Sequence, residues 1–250
     1  MYFESLISLS IVVLLSAARI PGPEERIVGG YSMAIKDVPW QVTLLHNGHD
    51  CGGVILSERV ILTAAQCLKG VNLKRYSVRA GSSHWSKGGQ VVKVQKAIPH
   101  EQYNSQTDEN DIAVLILASP LKFNSEVQKI DLADKSPKAG TKSLVSGWGH
   151  TKYDGQIVPT LNGVELFVVN HSDCKKAFGK IMITKDMICA SAHGKDSCQF
   201  DSGGPLVSVS DRKLIGIVSH GIKCAFGYPG VYADVAYFQN WITNTIKQNI

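Results

Sequence analysis

The chain has 250 residues, 44% hydrophobic and 19% charged, with a formal net charge of +5. That is enough apolar material to bury a large core in one or two domains. No internal repeat, coiled-coil heptad or low-complexity tract is present, and beyond the extreme N-terminus no stretch is long and apolar enough for a membrane helix, so fibrous, repeat and membrane-spanning classes drop out.

Residues 6–18 form an apolar run ending in Ser16-Ala17-Ala18, which reads as the core and cleavage site of a signal peptide at 1–18, although Glu4 stands where a positive charge is usual. The run is too short to span a bilayer, so a secreted protein is expected. A short segment, 19–26, ends at Arg26 and is followed by Ile27-Val28-Gly29-Gly30. Beyond it, β-branched and apolar runs at 40–45, 53–56, 60–62, 90–94, 112–117, 144–146, 164–169 and 214–219 recur between Gly, Ser, Asn and Asp turns. This spacing argues for an all-β sandwich or barrel. Helical periodicity is clear at the C-terminus, where Val235, Phe238, Trp241, Ile242, Thr245 and Ile246 share one face.

Six cysteines, Cys51, Cys67, Cys174, Cys189, Cys198 and Cys224, suit an oxidising compartment, and arithmetic alone leaves their pairing open. No two form a C-x-x-C clip, which argues against a zinc site. Residues 80–93 contain no Asp or Glu, so no calcium loop, and more broadly no metal or cofactor, is expected. Asn170-His171-Ser172 is a glycosylation sequon. Lys175, Lys176, Lys180 and Lys185 surround one predicted helix and loop; they read first as a solvated face, and second as a surface for an acidic partner such as heparin.

The segments Leu62-Thr63-Ala64-Ala65-Gln66-Cys67, Asn110-Asp111-Ile112-Ala113 and Asp201-Ser202-Gly203-Gly204-Pro205-Leu206, with Ile27-Val28-Gly29-Gly30, resemble the trypsin-like serine protease family. The resemblance extends over residues 27–250. It implies two six-stranded antiparallel β-barrels, at 27–135 and 136–250, with a C-terminal helix and the active site in the cleft between the barrels. It implies the bridges Cys51–Cys67, Cys174–Cys189 and Cys198–Cys224. Activation would follow cleavage after Arg26, the freed amine of Ile27 pairing with Asp201, since a buried ammonium and carboxylate tolerate burial only together. Asp111 matches the orienting acid and Ser202 the nucleophile. Asp196 matches the base of a pocket for arginine or lysine, with Gly221 and Gly230 as its small walls and Ser219 beside it.

Three departures stand out. Gln66 occupies the position of the general base, and an amide neither accepts nor donates a proton near neutral pH. Among the eight histidines none stands where it would replace that base; His49 matches a position that helps hold the inactive zymogen. Phe200 replaces a glycine whose N–H donates to the oxyanion, and its ring is expected to partly fill or cover the substrate cleft. If the position needs a positive φ, the peptide is expected to turn away. His220 replaces an aromatic wall of the groove. Together with Lys195-Asp196-Ser197-Cys198-Gln199 and Gly227-Tyr228-Pro229-Gly230-Val231-Tyr232, these changes resemble the inactivated serine protease paralogues of scabies and other parasitic mites. That resemblance implies a secreted protein that is not an enzyme, a monomer that binds host proteins and interferes with cascades such as complement, with neither nucleic acid nor membrane as partner. Beside it stand two further readings: a trypsin-like endopeptidase with strongly impaired activity, and a heparin- or surface-binding effector.

Overall fold

The computed structural model describes residues 27–179 and 183–250. The signal peptide and activation segment expected at 1–26, Arg26 with them, and Lys180 lie outside these residues.

The strand-rich pattern folds into two antiparallel barrels, as expected. The first strand, β1 (Tyr31–Ser32), precedes the first barrel in the chain but pairs with the second, at Gly163 and Asn162. In the first barrel β2 (Gln41–Leu45), β3 (His49–Ser57), β4 (Val60–Thr63), β5 (Ser77–Ala80), β6 (Gln90–Pro99) and β7 (Ala113–Leu117) close in the order β2-β3-β4-β7-β6-β5. In the second, β8 (Lys142–Gly147), β9 (Asn162–Val169), β10 (Met187–Ser191), β11 (Pro205–Ser208), β12 (Leu214–His220) and β13 (Gly230–Asp234) run β9-β10-β13-β12-β11-β8. There β8 pairs back onto β9, from Lys142↔Phe167 to Gly147↔Asn162, and closes the ring. Closure leaves no long unpaired strand edge, so these apolar sheets present no template for aggregation.

Eight of the strands coincide with apolar runs in the sequence, while β1, β5, β10, β11 and β13 do not. The last three are buried almost throughout, so no alternation marks them, and β11 and β13 open on Pro205 and Gly230, which read as turns. Val42, Leu44, Ile55, Ile61, Leu62 and Leu115 fill the first barrel, and Val164, Leu166, Ile215 and Tyr232 the second. Ile27 joins the second core and is fully buried.

A short helix, α1 (His171–Phe178), is capped by the Asn170 side chain, which accepts from the Ser172 amide. The C-terminal helix α2 (Gln239–Asn249) buries Ile242 and Thr245; Val235 and Phe238, read from the sequence as part of its apolar face, are buried just before it begins. The three disulfides are Cys51–Cys67, Cys174–Cys189 and Cys198–Cys224.

Two local irregularities aim residues into the cleft. The β12–β13 register shifts between Val218 and His220, so the bulge re-aims Ser219 at the seam between the barrels. Gly203 has φ +80, and a β-carbon there would run into Thr63 Oγ1 and the Gly52 carbonyl, so a glycine must follow Ser202. The turn is anchored by the Gly52 amide, which donates to the Ser202 carbonyl at 2.8 Å.

Candidate active site

Four short segments deliver the reacting groups. Gln66 sits on the 3-10 turn Ala65–Leu68 after β4, Asp111 immediately before β7, Ser202 on the turn into β11, and Ser219 in the bulge of β12. Asp111 is 1% exposed and its carboxylate takes three donors: the Gln66 amide at 2.8 Å, Gln66 Nε2 at 2.7 Å and Ser219 Oγ at 2.6 Å. Burial pushes its carboxyl up to about 6, and those donors pull it back. The second amide hydrogen of Gln66 goes to the Ser219 carbonyl at 2.7 Å. Carboxylate and carbonyl both only accept, so the nitrogen of Gln66 must face them. The side chain therefore keeps the orienting bond of a triad without its proton chemistry. Ser202 Oγ donates to the same Ser219 carbonyl at 3.3 Å, an oxygen too weakly basic to take the proton away.

Phe200 departs from expectation at its backbone. Its φ is +73, so the positive φ is kept and the peptide has not turned away. His49 explains how. Its Nε2 donates to the Phe200 carbonyl at 3.0 Å, while Thr43 Oγ1 bonds Nδ1. Burial lowers His49 to about 4, so the ring is neutral and holds one tautomer. The Gln199 carbonyl accepts from the His150 amide at 2.9 Å, and in a trans peptide the Phe200 N–H points the opposite way. The Asp201 carbonyl likewise accepts from Gly204 at 2.9 Å, turning the Ser202 N–H outward. Neither amide takes a protein acceptor among the described residues, so both stay free beside Ser202 as candidate oxyanion donors. The ring, 37% exposed, lies 5.0 Å from that of His150 and walls a neighbouring recess with Asp50, Cys51 and Lys69. The ring is absent from the lining of the Asp196 pocket: the backbone fixed by His49 points the side chain to the other flank of Ser202, where it walls part of the cleft.

The substrate pocket is a cavity of about 210 Å³ lined by Gln66, Asp196, Ser202, Ser219, His220, Gly221 and Gly230 among others. Asp196 is 4% exposed at its foot; Oδ2 accepts from the Ala225 amide at 3.0 Å, and Oδ1 makes no well-formed hydrogen bond among the described residues. Desolvation raises its carboxyl to about 6, against the pull of donors from Ala225 and Ser197. A β-carbon at Gly230 would stand 2.9 Å from Asp196 Oδ1, so any larger residue there would block the carboxylate.

Asp201, 1% exposed, points away from the cleft and accepts from Gly149 at 2.8 Å and Cys198 at 3.0 Å. Burial pushes its carboxyl up to about 7. The Ile27 segment docks next to the substrate pocket, since the Asp196 amide donates to the Val28 carbonyl at 3.3 Å.

The structure thus gathers Asp111, Gln66, Ser202, Ser219, His220, Asp196, Gly221 and Gly230, and sets Phe200 beside them. Asn170 lies apart, at the start of α1. Asp108 and Tyr103, which sequence reasoning passed over, also reach the cleft: His220 Nδ1 stands 3.6 Å from Asp108 Oδ2, and Tyr103 OH donates to Asp108 Oδ1 at 3.2 Å. Proximity of Asp108 to Asp111 in the chain was the available signal.

A serine flanked by two free amides, with a buried carboxylate under an adjoining pocket and two closed barrels around it, defines the two-barrel serine endopeptidase class. The family model for trypsin matches residues 27–242, and the chain belongs to the trypsin family. It is 44% identical to trypsin alpha of Drosophila melanogaster, covering 95% of this chain and 98% of that protein. It is 45% identical to trypsin beta of Drosophila erecta, covering 94% and 99%, and 44% identical to trypsin alpha-4 of Lucilia cuprina, covering 95% and 94%. These matches to proteins named as trypsins overturn the expectation that the chain is not an enzyme. The narrower likeness to inactivated mite paralogues gains nothing from these fly relatives.

Proposed function

We propose that the protein is a secreted serine endopeptidase with trypsin-like preference for arginine or lysine, its turnover strongly slowed by Gln66. The observation that carries this is Asp196 Oδ1, a buried carboxylate oxygen without a well-formed hydrogen bond among the described residues, at the foot of a pocket opening beside Ser202. A guanidinium or ammonium entering there would supply the missing donor and offset the desolvation that holds the carboxyl up.

In the chemistry supported by these residues, Ser202 Oγ attacks the carbonyl after the basic residue. The oxyanion is stabilised by the amides of Phe200 and Ser202. The hydroxyl proton passes to water or to the substrate, because Gln66 cannot accept it. The amine leaves once protonated, and water hydrolyses the acyl ester to regenerate the hydroxyl. Gln66 and Asp111 position and polarise the corner without transferring the proton. Three disulfides and the expected leader support an extracellular setting, in which cleavage after Arg26 would release the Ile27 amine as a partner for Asp201.

The test is hydrolysis of arginyl and lysyl amides after cleavage at Arg26, with Ser202→Ala as the control. Slow hydrolysis abolished in the control is expected; a rate unaffected by the control, or equal for leucyl substrates, overturns the proposal.

A further inference from the structure

Asn170-His171-Ser172 is the only Asn-x-Ser/Thr triplet in the chain, and the chemistry of the cleft leaves it unused. It sits at a corner of the second barrel, where β9 ends at Val169 and α1 begins at His171, and Asn170 is exposed there. The Asn170 side chain is engaged at one end of its amide. Oδ1 accepts from the Ser172 amide at 2.9 Å and from Ser172 Oγ at 2.8 Å, which caps α1. Nδ2 donates to no protein acceptor among the described residues.

The two ends of this amide are therefore separable. An amide that gains a sugar on its nitrogen keeps its carbonyl oxygen, which can still accept both hydrogen bonds. The folded cap thus tolerates the modified residue without losing a bond, as a nitrogen tied into the fold would not. The surroundings are open as well. Asn170 borders a recess of about 400 Å³ with Val168 and Met187 in its wall and Ser136, His171 and Lys185 also lining it. That recess shares no lining residue with the Asp196 pocket or with the Phe200 recess, so a chain of sugars leaving Asn170 stands clear of the cleft.

We propose that Asn170 carries an N-linked oligosaccharide, placed on the second barrel clear of the substrate cleft. In the transfer, Asn170 Nδ2 attacks the anomeric carbon of a lipid-pyrophosphate-linked oligosaccharide. The new C–N bond replaces the C–O bond to the pyrophosphate, which leaves with the lipid, and the nitrogen gives up one proton. Nothing is oxidised or reduced. The proposal rests on the extracellular setting inferred above, since it requires passage through the secretory route.

The test expresses the full chain with its own leader in cultured mammalian cells and recovers it from the medium. Peptide-N-glycosidase F in heavy-oxygen water is expected to lower its mass and to leave a labelled aspartate in place of Asn170, read by peptide mass spectrometry. Asn170→Asp keeps an acceptor for the cap while removing the nitrogen, so that variant is expected to be secreted and to show no shift. Secreted protein without a shift, or a shift that persists in Asn170→Asp, overturns this proposal alone. Failure of the unaltered chain to reach the medium overturns the secreted reading and this one with it. p-Aminobenzamidine fluorescence, which reports the Asp196 pocket of the protein cleaved after Arg26, is expected to give the same affinity before and after removal of the sugars. A difference overturns the placement clear of the cleft.

Discussion

Asp196 and Gln66 lie on opposite sides of Ser202, and the two sides follow different logic. On the pocket side the parts fit a basic substrate: a desolvated carboxylate, an oxygen without a well-formed hydrogen bond among the described residues and a glycine where any side chain would collide. On the other side the hydrogen-bond frame of a triad is intact, with Asp111 holding the residue that follows β4, yet the residue held is an amide. On the proposed function, recognition and proton transfer are separable in this chain: ground-state binding is expected to survive a change that removes transition-state help, the pattern in which turnover suffers more than affinity.

The largest expected effect restores the weak side. Gln66→His is expected to raise kcat on an arginyl amide by roughly four to six orders of magnitude, leaving KM within a few fold, as steady-state kinetics would show. A gain below tenfold would mean that another group already serves as base, and the contrast between the two sides would dissolve. Next comes the pocket. Asp196→Asn is expected to weaken p-aminobenzamidine at least about thirtyfold, since losing one member of a buried charge pair costs about 2–5 kcal/mol. Unchanged affinity would remove the pocket from the comparison.

A third effect concerns pH. Asp201 titrates at about 7 in the folded chain against an ordinary value of 3.8. The folded state thus binds more protons between those values, and stability falls as pH rises through them. His49, lowered to about 4, acts in the opposite direction but only below its ordinary 6.5. Between pH 6.5 and 8 the uncleaved chain should therefore lose stability, and a lower urea midpoint at pH 8 would register it. Cleavage after Arg26 should flatten that slope by supplying an ammonium. The smallest effect belongs to Phe200, whose positive φ costs about 1–2 kcal/mol for a residue with a β-carbon. Phe200→Gly is expected to stabilise by about 1 kcal/mol, or about 2–4 °C in Tm, with little change in affinity for p-aminobenzamidine. A marked gain in that affinity would revive occlusion of the pocket by the ring.

Much of this molecule was legible in its residues. The runs that became β2, β3, β4, β6, β7, β8, β9 and β12 alternate or cluster visibly, and Ser202, Asp111 and Asp196 stand in segments whose chemistry requires those neighbours. What escaped depended on partners distant in sequence. The direction of the Phe200 ring is set by His49, 151 residues away, through one hydrogen bond to a carbonyl. The Asp108–His220 contact joins a loop of the first barrel to a strand end of the second. No local pattern encodes either. The change at Gln66 was plain, but its weight was misjudged: the matches to fly proteins named as trypsins overturn the expectation, built on that change, that the chain is not an enzyme.

The bond from the Asp196 amide to the Val28 carbonyl ties the floor of the specificity pocket to the second residue after the cleavage point. A substitution at Val28 or Gly29 is therefore expected to reach the pocket floor through this one bond, although neither residue lines the pocket.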